Sequence, residues 1–222
     1  MKVEIRSVKR KYGKKKVLQG VDLTCYGGQC IGILGANGSG KSTLLSILAG
    51  VALRDGGSFY CDGHELFKDY KRRIRMVGYV PQGNPLMEEL TAWDNLRIWY
   101  EGDTLREELS GGVLKMLGVD QFLKVPVHKM SGGMKKRLSI GCAMANRPPI
   151  LLLDEPTAAL DLACKQQITD YLRAYKASGG LLLLVTHDVM ELELCDELYI
   201  LKNGTLEPYT YDGNLEKLVQ SL

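Results

Sequence analysis

Residues 35–43 follow one another as Gly35, Ala36, Asn37, Gly38, Ser39, Gly40, Lys41, Ser42 and Thr43. Gly35, four intervening residues and then Gly40-Lys41-Ser42 have the spacing of a phosphate-binding loop. Glycines let successive backbone N–H groups turn inward as a nest for an anion, and the N-terminus of a following helix adds its own donors. At this spacing Lys41 reaches the β- and γ-phosphates of a nucleotide, and the Ser42 hydroxyl is placed to ligate Mg²⁺. With glycine near 7% of an average sequence, a chance match anywhere in the chain is below ~1%. The loop by itself does not choose among nucleotide kinases, GTPases and motor-like ATPases.

A second group of residues narrows the chemistry. Ile150-Leu151-Leu152-Leu153 runs directly into Asp154-Glu155. A buried strand ending in two carboxylates is what phosphoryl transfer needs beside a phosphate loop. Asp154 can hold Mg²⁺ through its water shell, and Glu155 can polarise an attacking water as a general base. His187 follows the apolar run 181–186, and strand ends are where ligand groups gather in open parallel sheets. Gln82 stands two residues beyond the expected strand 76–80, where a carboxamide could sense Mg²⁺ or water.

The elements that must carry these residues are visible in the apolar patterning. Residues 3–6 and 17–23 read as strands on either side of the basic run Lys9-Arg10-Lys11-Tyr12-Gly13-Lys14-Lys15-Lys16, which can attract phosphates or anionic lipid headgroups but is read as a solvated turn. Cys30–Leu34 reads as a buried strand, and Lys41–Ala49 as a helix. Strand, glycine loop and helix in that order are the context a phosphate loop requires. Residues 57–61 and 76–80 read as strands. Between about 83 and 145 the pattern turns helical, with helices expected from a Thr91 cap to residue 100, over 104–117 and over 133–145. From residue 150 strands and helices alternate again: strands over 150–153, 181–186 and Glu197–Lys202, helices over Leu162–Ala177 and 189–194. Asn203-Gly204 has hairpin chemistry, and 214–222 reads as a short closing helix. This order implies a mainly parallel sheet covered on both faces.

Composition sets outer bounds. The 222 residues are 45% hydrophobic and 25% charged, with a net charge of +3, which argues against a nucleic-acid binder. No apolar run approaches the ~20 residues that cross a bilayer, and the N-terminal residues do not resemble a signal peptide, so a cytoplasmic location is expected. Six cysteines lack any Cys-x-x-Cys pair and read as reduced core thiols.

Taken together the residues resemble the nucleotide-binding domain of ABC ATPases across nearly the whole chain. That family's diagnostic Ser-Gly-Gly occurs twice, within Leu109-Ser110-Gly111-Gly112-Val113 and within Met130-Ser131-Gly132-Gly133-Met134. Ser131 precedes Asp154 by 23 residues, which fits the family's single helix between signature and magnesium strand, whereas Ser110 precedes it by 44. Ser110-Gly111-Gly112 is therefore read as a coincidental break near a helix. Met130 and Met134 replace the commoner leucine and glutamine of the signature, and Ala158 replaces a serine in the loop 158–161 that communicates across the dimer. The Met134-Lys135-Lys136-Arg137-Leu138 continuation is similar to the branch that exports drugs, peptides or lipids.

The resemblance implies an α/β fold: a P-loop NTPase core with a mainly parallel sheet, an N-terminal antiparallel β subdomain and an inserted α-helical subdomain. The single domain would run over 1–222, with 1–82 and 146–222 as catalytic core and 83–145 as the helical part. It implies ATP and Mg²⁺ as ligands, with Tyr12 stacking on adenine and Gln82 coupling the core to the helical part. Ser42, Gln82 and Asp154 would serve the metal, and Glu155, His187 and Lys41 catalysis. It further implies a homodimer or heterodimer joined head to tail, with Ser131, Gly132 and Gly133 of one subunit completing the other's ATP site. Integral membrane subunits would be the other partners, placing the chain on the cytoplasmic face of the membrane, and no nucleic acid is expected. Trp93, Trp99 and Tyr100 are read as exposed aromatics of the docking region. The competing readings are a non-transport ABC switch protein, an ABC importer subunit and a nucleotide kinase.

Overall fold

In the computed structural model, which describes residues 1–221, the period-two patterning of the N-terminus becomes an antiparallel hairpin of β1 (Lys2–Tyr12) and β2 (Lys15–Tyr26). Val3, Ile5, Val8, Val21, Leu23 and Cys25 point into the core, as alternation on a half-buried strand requires. The basic run is the hairpin itself, closing at Tyr12 opposite Lys15 around Gly13. β1 runs past the expected end at residue 6 because a bulge intervenes: Ser7 has φ 48°, and its N–H donates to Asp22 at 2.9 Å. The bulge breaks the alternation on which the sequence reading depended.

β3 (Cys30–Leu34) is buried at every residue and leads through the glycine loop into α1 (Lys41–Ala49). β4 (Gly56–Cys61) and the short β5 (His64–Glu65) return to the hairpin's sheet, whose order is β2-β1-β4-β5. α2 (Tyr70–Met76) precedes β6 (Val77–Val80), so Met76 closes a helix rather than opening a strand. Neither β5 nor α2 was anticipated. α2 buries no residue, so it has no apolar periodicity to detect; its N-terminus is capped by Asp69 accepting from the Arg72 N–H.

Between β6 and the next strand lie α3 (Ala92–Trp99), α4 (Gly102–Ser110), α5 (Val113–Met116) and α6 (Gly132–Ala143), with 3-10 turns at Val119–Phe122 and Val127–Lys129. Thr91 caps α3 in a reciprocal box with Asp94, as expected. The single helix expected over 104–117 is instead two, parted at Gly111-Gly112. The Glu108 carboxylate folds back to accept from the Val113 N–H at 2.8 Å, and a Cβ on Gly112 would lie 2.0 Å from it. Of the aromatics read as exposed, Trp99 is 57% exposed and Trp93 packs partly against the core. Tyr100, expected to be exposed, is instead buried: the chain leaves α3 at this extended C-cap and the Tyr100 hydroxyl donates to the Gly141 carbonyl of α6.

The remaining elements are β7 (Ile150–Asp154), α7 (Leu162–Ala177), β8 (Leu181–Val185), α8 (Val189–Leu192), β9 (Glu197–Lys202), β10 (Thr205–Tyr209) and α9 (Leu215–Ser221). α8 stops two residues short of the expected 194. The closing helix begins within a residue of its expected start, and Leu222 lies outside the described residues. Asn203 and Gly204, both at positive φ, make the β9–β10 turn. The second sheet has the order β10-β9-β3-β8-β7-β6, parallel except for β10.

Alternate residues of β7 and β8 feed two different cores, which fixes the layering. Leu151, Leu153, Leu182 and Leu184 join the cluster built with α3, α6 and α7. Ile150, Leu152, Leu181 and Leu183 join the cluster holding α1 and the N-terminal strands. α1 is thus packed between the two sheets, and the phosphate loop at its N-terminus is held from both sides.

A candidate nucleotide site

The loop takes its shape from contacts that only glycine permits. Gly35 has φ 148°, and a Cβ there would lie 2.7 Å from the Leu201 carbonyl oxygen; Gly40 has φ 113°, and a Cβ would lie 2.8 Å from the Val17 side chain. The loop can therefore turn tightly beneath β2 and β9. Lys41, the first residue of α1, bends back over it and donates to the carbonyls of Gly35 (2.5 Å) and Ala36 (3.1 Å). α1 has neither a side-chain cap nor an acidic residue in its first turn, so its leading amides remain available to an anion. Burial lowers the Lys41 pKa, while Glu155 and Asp154 act in the opposite direction. A desolvated ammonium beside uncapped amides fits a phosphate.

Across from the loop, β7 delivers Asp154 and Glu155. Asp154 is buried, and burial pushes its carboxyl above the usual aspartate value, with a hydrogen bond from Ser42 opposing the shift. Glu155 has φ 49° and its N–H donates to the Val185 carbonyl, which turns its carboxylate out of the strand end. There the Gln82 amide donates to Glu155 Oε2 at 2.8 Å, and His187 Nε2 stands 4.0 Å from Oε1. Burial and then Lys41 lower the His187 pKa, with Glu155 acting in the opposite direction, so the environment favours the neutral imidazole. A cavity of about 540 Å³ lies between these groups, bounded by Tyr12, Val17, Asn37, Lys41, Gln82 and Glu155. Its size suits a nucleotide-sized ligand. Tyr12 is 48% exposed at its edge, with the Arg10 guanidinium over the ring at 4.5 Å.

The donor set can be tested against Mg²⁺ directly. A serine hydroxyl and a buried aspartate carboxylate offer the hard oxygen ligands Mg²⁺ takes, usually together with substrate phosphates and water. Gln82 spends an amide N–H on Glu155 and keeps its oxygen as an acceptor. The buried Asp154 charge is costly without a cation. The residues present fit the ion.

Tyr12, residues of the glycine loop, Gln82 and Glu155 are brought together around one cavity, with Asp154 behind Ser42 and His187 beside Glu155. Ser131, Gly132 and Gly133 are not among that cavity's walls. They begin α6, where the Ser131 hydroxyl accepts from the Met134 N–H at 3.2 Å. A Cβ on Gly133 would lie 2.7 Å from Cys164 Sγ, so glycine there lets α6 approach α7 closely. The other Ser-Gly-Gly lies between two helices: Ser110 closes α4, its hydroxyl donating to the Glu107 carbonyl, and Gly112 caps α5, whose Val113 N–H is taken by the Glu108 carboxylate. A helix C-terminus presents carbonyls and repels anions. Lys15 and Val17 also line the cavity and escaped the sequence reading, which treated Lys15 as part of a solvated turn. The signal that could have found them is hairpin register, since Lys15 pairs with Tyr12.

A glycine loop with a buried lysine faces a buried aspartate and a glutamate that accepts from Gln82 and lies beside His187, a grouping suited to nucleotide-dependent phosphoryl transfer. Residues 18–158 match the family model described as ABC transporter. The chain belongs to the ABC transporter family, among its ATP-binding members. It is 37% identical over 209 residues to the Nod factor export ATP-binding protein I of Ralstonia nicotianae, covering 91% of this chain and 64% of that protein. It is 32% identical to the linearmycin resistance ATP-binding protein LnrL of Bacillus subtilis, covering 92% and 67% of the two chains. It thus spans about two thirds of the length of these relatives. Against the lantibiotic transport ATP-binding protein SrtF of Streptococcus pyogenes the identity is 32%, covering 97% and 95%. Among solved structures, it matches a dimeric post-hydrolysis state of an ATP-binding cassette bound to ADP and Pi, with TM-score 0.80, 30% identity and coverage of 92% and 96%.

Proposed function

We propose that this chain binds and hydrolyses ATP and powers export through separate integral membrane subunits. The observation that carries this reading is the catalytic grouping itself: Glu155 held by Gln82 at 2.8 Å and flanked by His187 at 4.0 Å, across a cavity from the Lys41 loop. The loop amides and Lys41 bind the β- and γ-phosphates, and Tyr12 stacks on the adenine. Ser42 and Asp154, assisted by Gln82, would hold Mg²⁺, which when bound neutralises phosphate charge. Glu155 orients a water and takes its proton, and the neutral His187 donates a hydrogen bond to the γ-phosphate.

Ser131 and the amides of Gly132 and Gly133 serve a second subunit's nucleotide, in a head-to-tail homodimer or heterodimer. The exposure of Ser131 and Gly132 at a helix N-terminus outside their own chain's cavity supports this, as does the dimeric description of the similar cassette. The relatives' names support export as the direction. Within this reading residues 1–82 and 146–222 form the catalytic core and 83–145 a helical part that docks on the membrane subunits at the cytoplasmic face. No described helix is long and apolar enough to cross a membrane.

Phosphate release from Mg-ATP by the purified chain tests the proposal. Removing a general base costs 10²- to 10⁴-fold in typical enzymes. Glu155→Gln is therefore expected to lower kcat by about 10²-fold or more while ATP still binds. Equal turnover by wild type and variant would refute the assignment of Glu155, and phosphate transfer to a nucleotide acceptor would refute the hydrolase.

A further inference from the structure

Lys136 is a buried charge that the site as described does not use. It lies in the second turn of α6, five residues beyond Ser131, and is 4% exposed. Its ammonium does not reach into the nucleotide cavity. Instead Nζ donates to the carbonyl oxygens of Pro81 at 3.0 Å and Gln82 at 3.1 Å. These two peptides stand just past the end of β6, the edge strand of its sheet, where the chain leaves the ladder and its carbonyls lose their strand partners. Lys136 supplies the donors.

The contact joins two features that are otherwise separate. One end of α6 carries Ser131, Gly132 and Gly133, about 8 Å of rigid helix from Lys136. Past the carbonyls, the Gln82 side chain donates to Glu155 Oε2 at 2.8 Å. A continuous path therefore runs from the α6 N-terminus through Lys136 to the Gln82 main chain, and from the Gln82 amide to the Glu155 carboxylate. Burial lowers the Lys136 pKa, while Asp154, Glu155 and Glu191 act to keep the proton on. Both hydrogen bonds nevertheless go to main-chain oxygens, which cannot follow a change of charge and can only be positioned.

We infer that Lys136 is a positioning residue that ties the signature end of α6 to the Gln82 loop, so that engagement of Ser131–Gly133 sets Glu155 for hydrolysis. The inference rests on the hydrolytic reading of the site given above. Keeping a desolvated ammonium here does not require a gain in stability, since buried charges are commonly replaced by apolar side chains without loss. Its use is to fix where the Gln82 loop sits relative to α6.

Two variants of the full chain test this: Lys136→Met, which keeps the stem and removes the donors, and Lys136→Gln, which can still donate to a carbonyl. Hydrogen exchange at the Gln82 and Gly83 amides, measured without nucleotide, is expected to be faster in Lys136→Met and intermediate in Lys136→Gln. With Mg-ATP, Lys136→Met is expected to lose on the order of ten-fold in kcat, the weight of a charge-assisted hydrogen bond. KM for ATP should stay within about two-fold, because the phosphate loop is untouched. Lys136→Gln should recover part of kcat, and it stands in if the methionine variant does not fold. Unchanged exchange at Gln82 and Gly83 in both variants would overturn the inference, as would wild-type kcat in both. A wild-type chain without turnover would sink the hydrolytic reading alone, leaving the exchange measurement to decide the role of Lys136.

Discussion

At the scale of single residues, the site is a set of charges placed where they are expensive. Asp154 is buried with its pKa raised, so the folded apo chain holds its proton more tightly than the unfolded chain does. Between the unfolded value near 3.8 and the higher folded value, the native state binds more protons, and stability falls as pH rises through that window. The penalty is fully present at pH 7. Asp154→Asn removes the charge and keeps an acceptor for Ser42, so the apo variant is expected to melt a few degrees above wild type at pH 7, at roughly 2–4 °C per kcal/mol. The difference should vanish below the window. Thermal unfolding at several pH values without Mg-ATP measures this, and an apo variant less stable than wild type at pH 7 would contradict it. Stability given up at a buried carboxylate is a usual trade where a site must bind charge. Lys41, Asp154, Glu155 and His187 were legible in the sequence because each stands at a fixed offset from an apolar strand or a glycine loop. Lys136 was not, because one lysine among Lys135, Lys136 and Arg137 gives no sign of which one turns inward.

At the scale of elements, the two Ser-Gly-Gly segments show what local context adds to a motif. Ser131 begins a helix, whereas Ser110 ends α4 and the α5 N-terminus after it is already taken by the Glu108 carboxylate, so the first is the better anion site. Ser131→Ala is expected to lower hydrolysis and to cost about 1 kcal/mol as a lost N-cap. Ser110→Ala should leave both turnover and melting close to wild type. Steady-state rates of the pair decide the matter, and equal losses would mean that the wrong segment was assigned. The buried strands β3, β7 and β8 could be read directly, since each is a short apolar run ending at Gly35, at Glu155 or just before His187. α2 could not be read, because a helix that buries nothing has no periodic face. The break between α4 and α5 was hidden for a different reason: it depends on Glu108 folding back to the Val113 N–H, a contact that requires the tertiary arrangement around Gly112.

At the scale of the whole molecule, packing α1 between two sheets holds the phosphate loop rigidly while leaving one side of its cavity open. Outside that cavity, α6 offers a helix N-terminus with Ser131 and Gly132 exposed. The proposed head-to-tail pair would bring the two together twice, each nucleotide would be bound by both chains, and its hydrolysis would release the closed state. The most direct test is the mass of the Glu155→Gln chain measured by size-exclusion chromatography with light scattering, with and without Mg-ATP. The variant is expected to be a monomer without nucleotide and a dimer with it. A chain that binds Mg-ATP and remains monomeric throughout would contradict this.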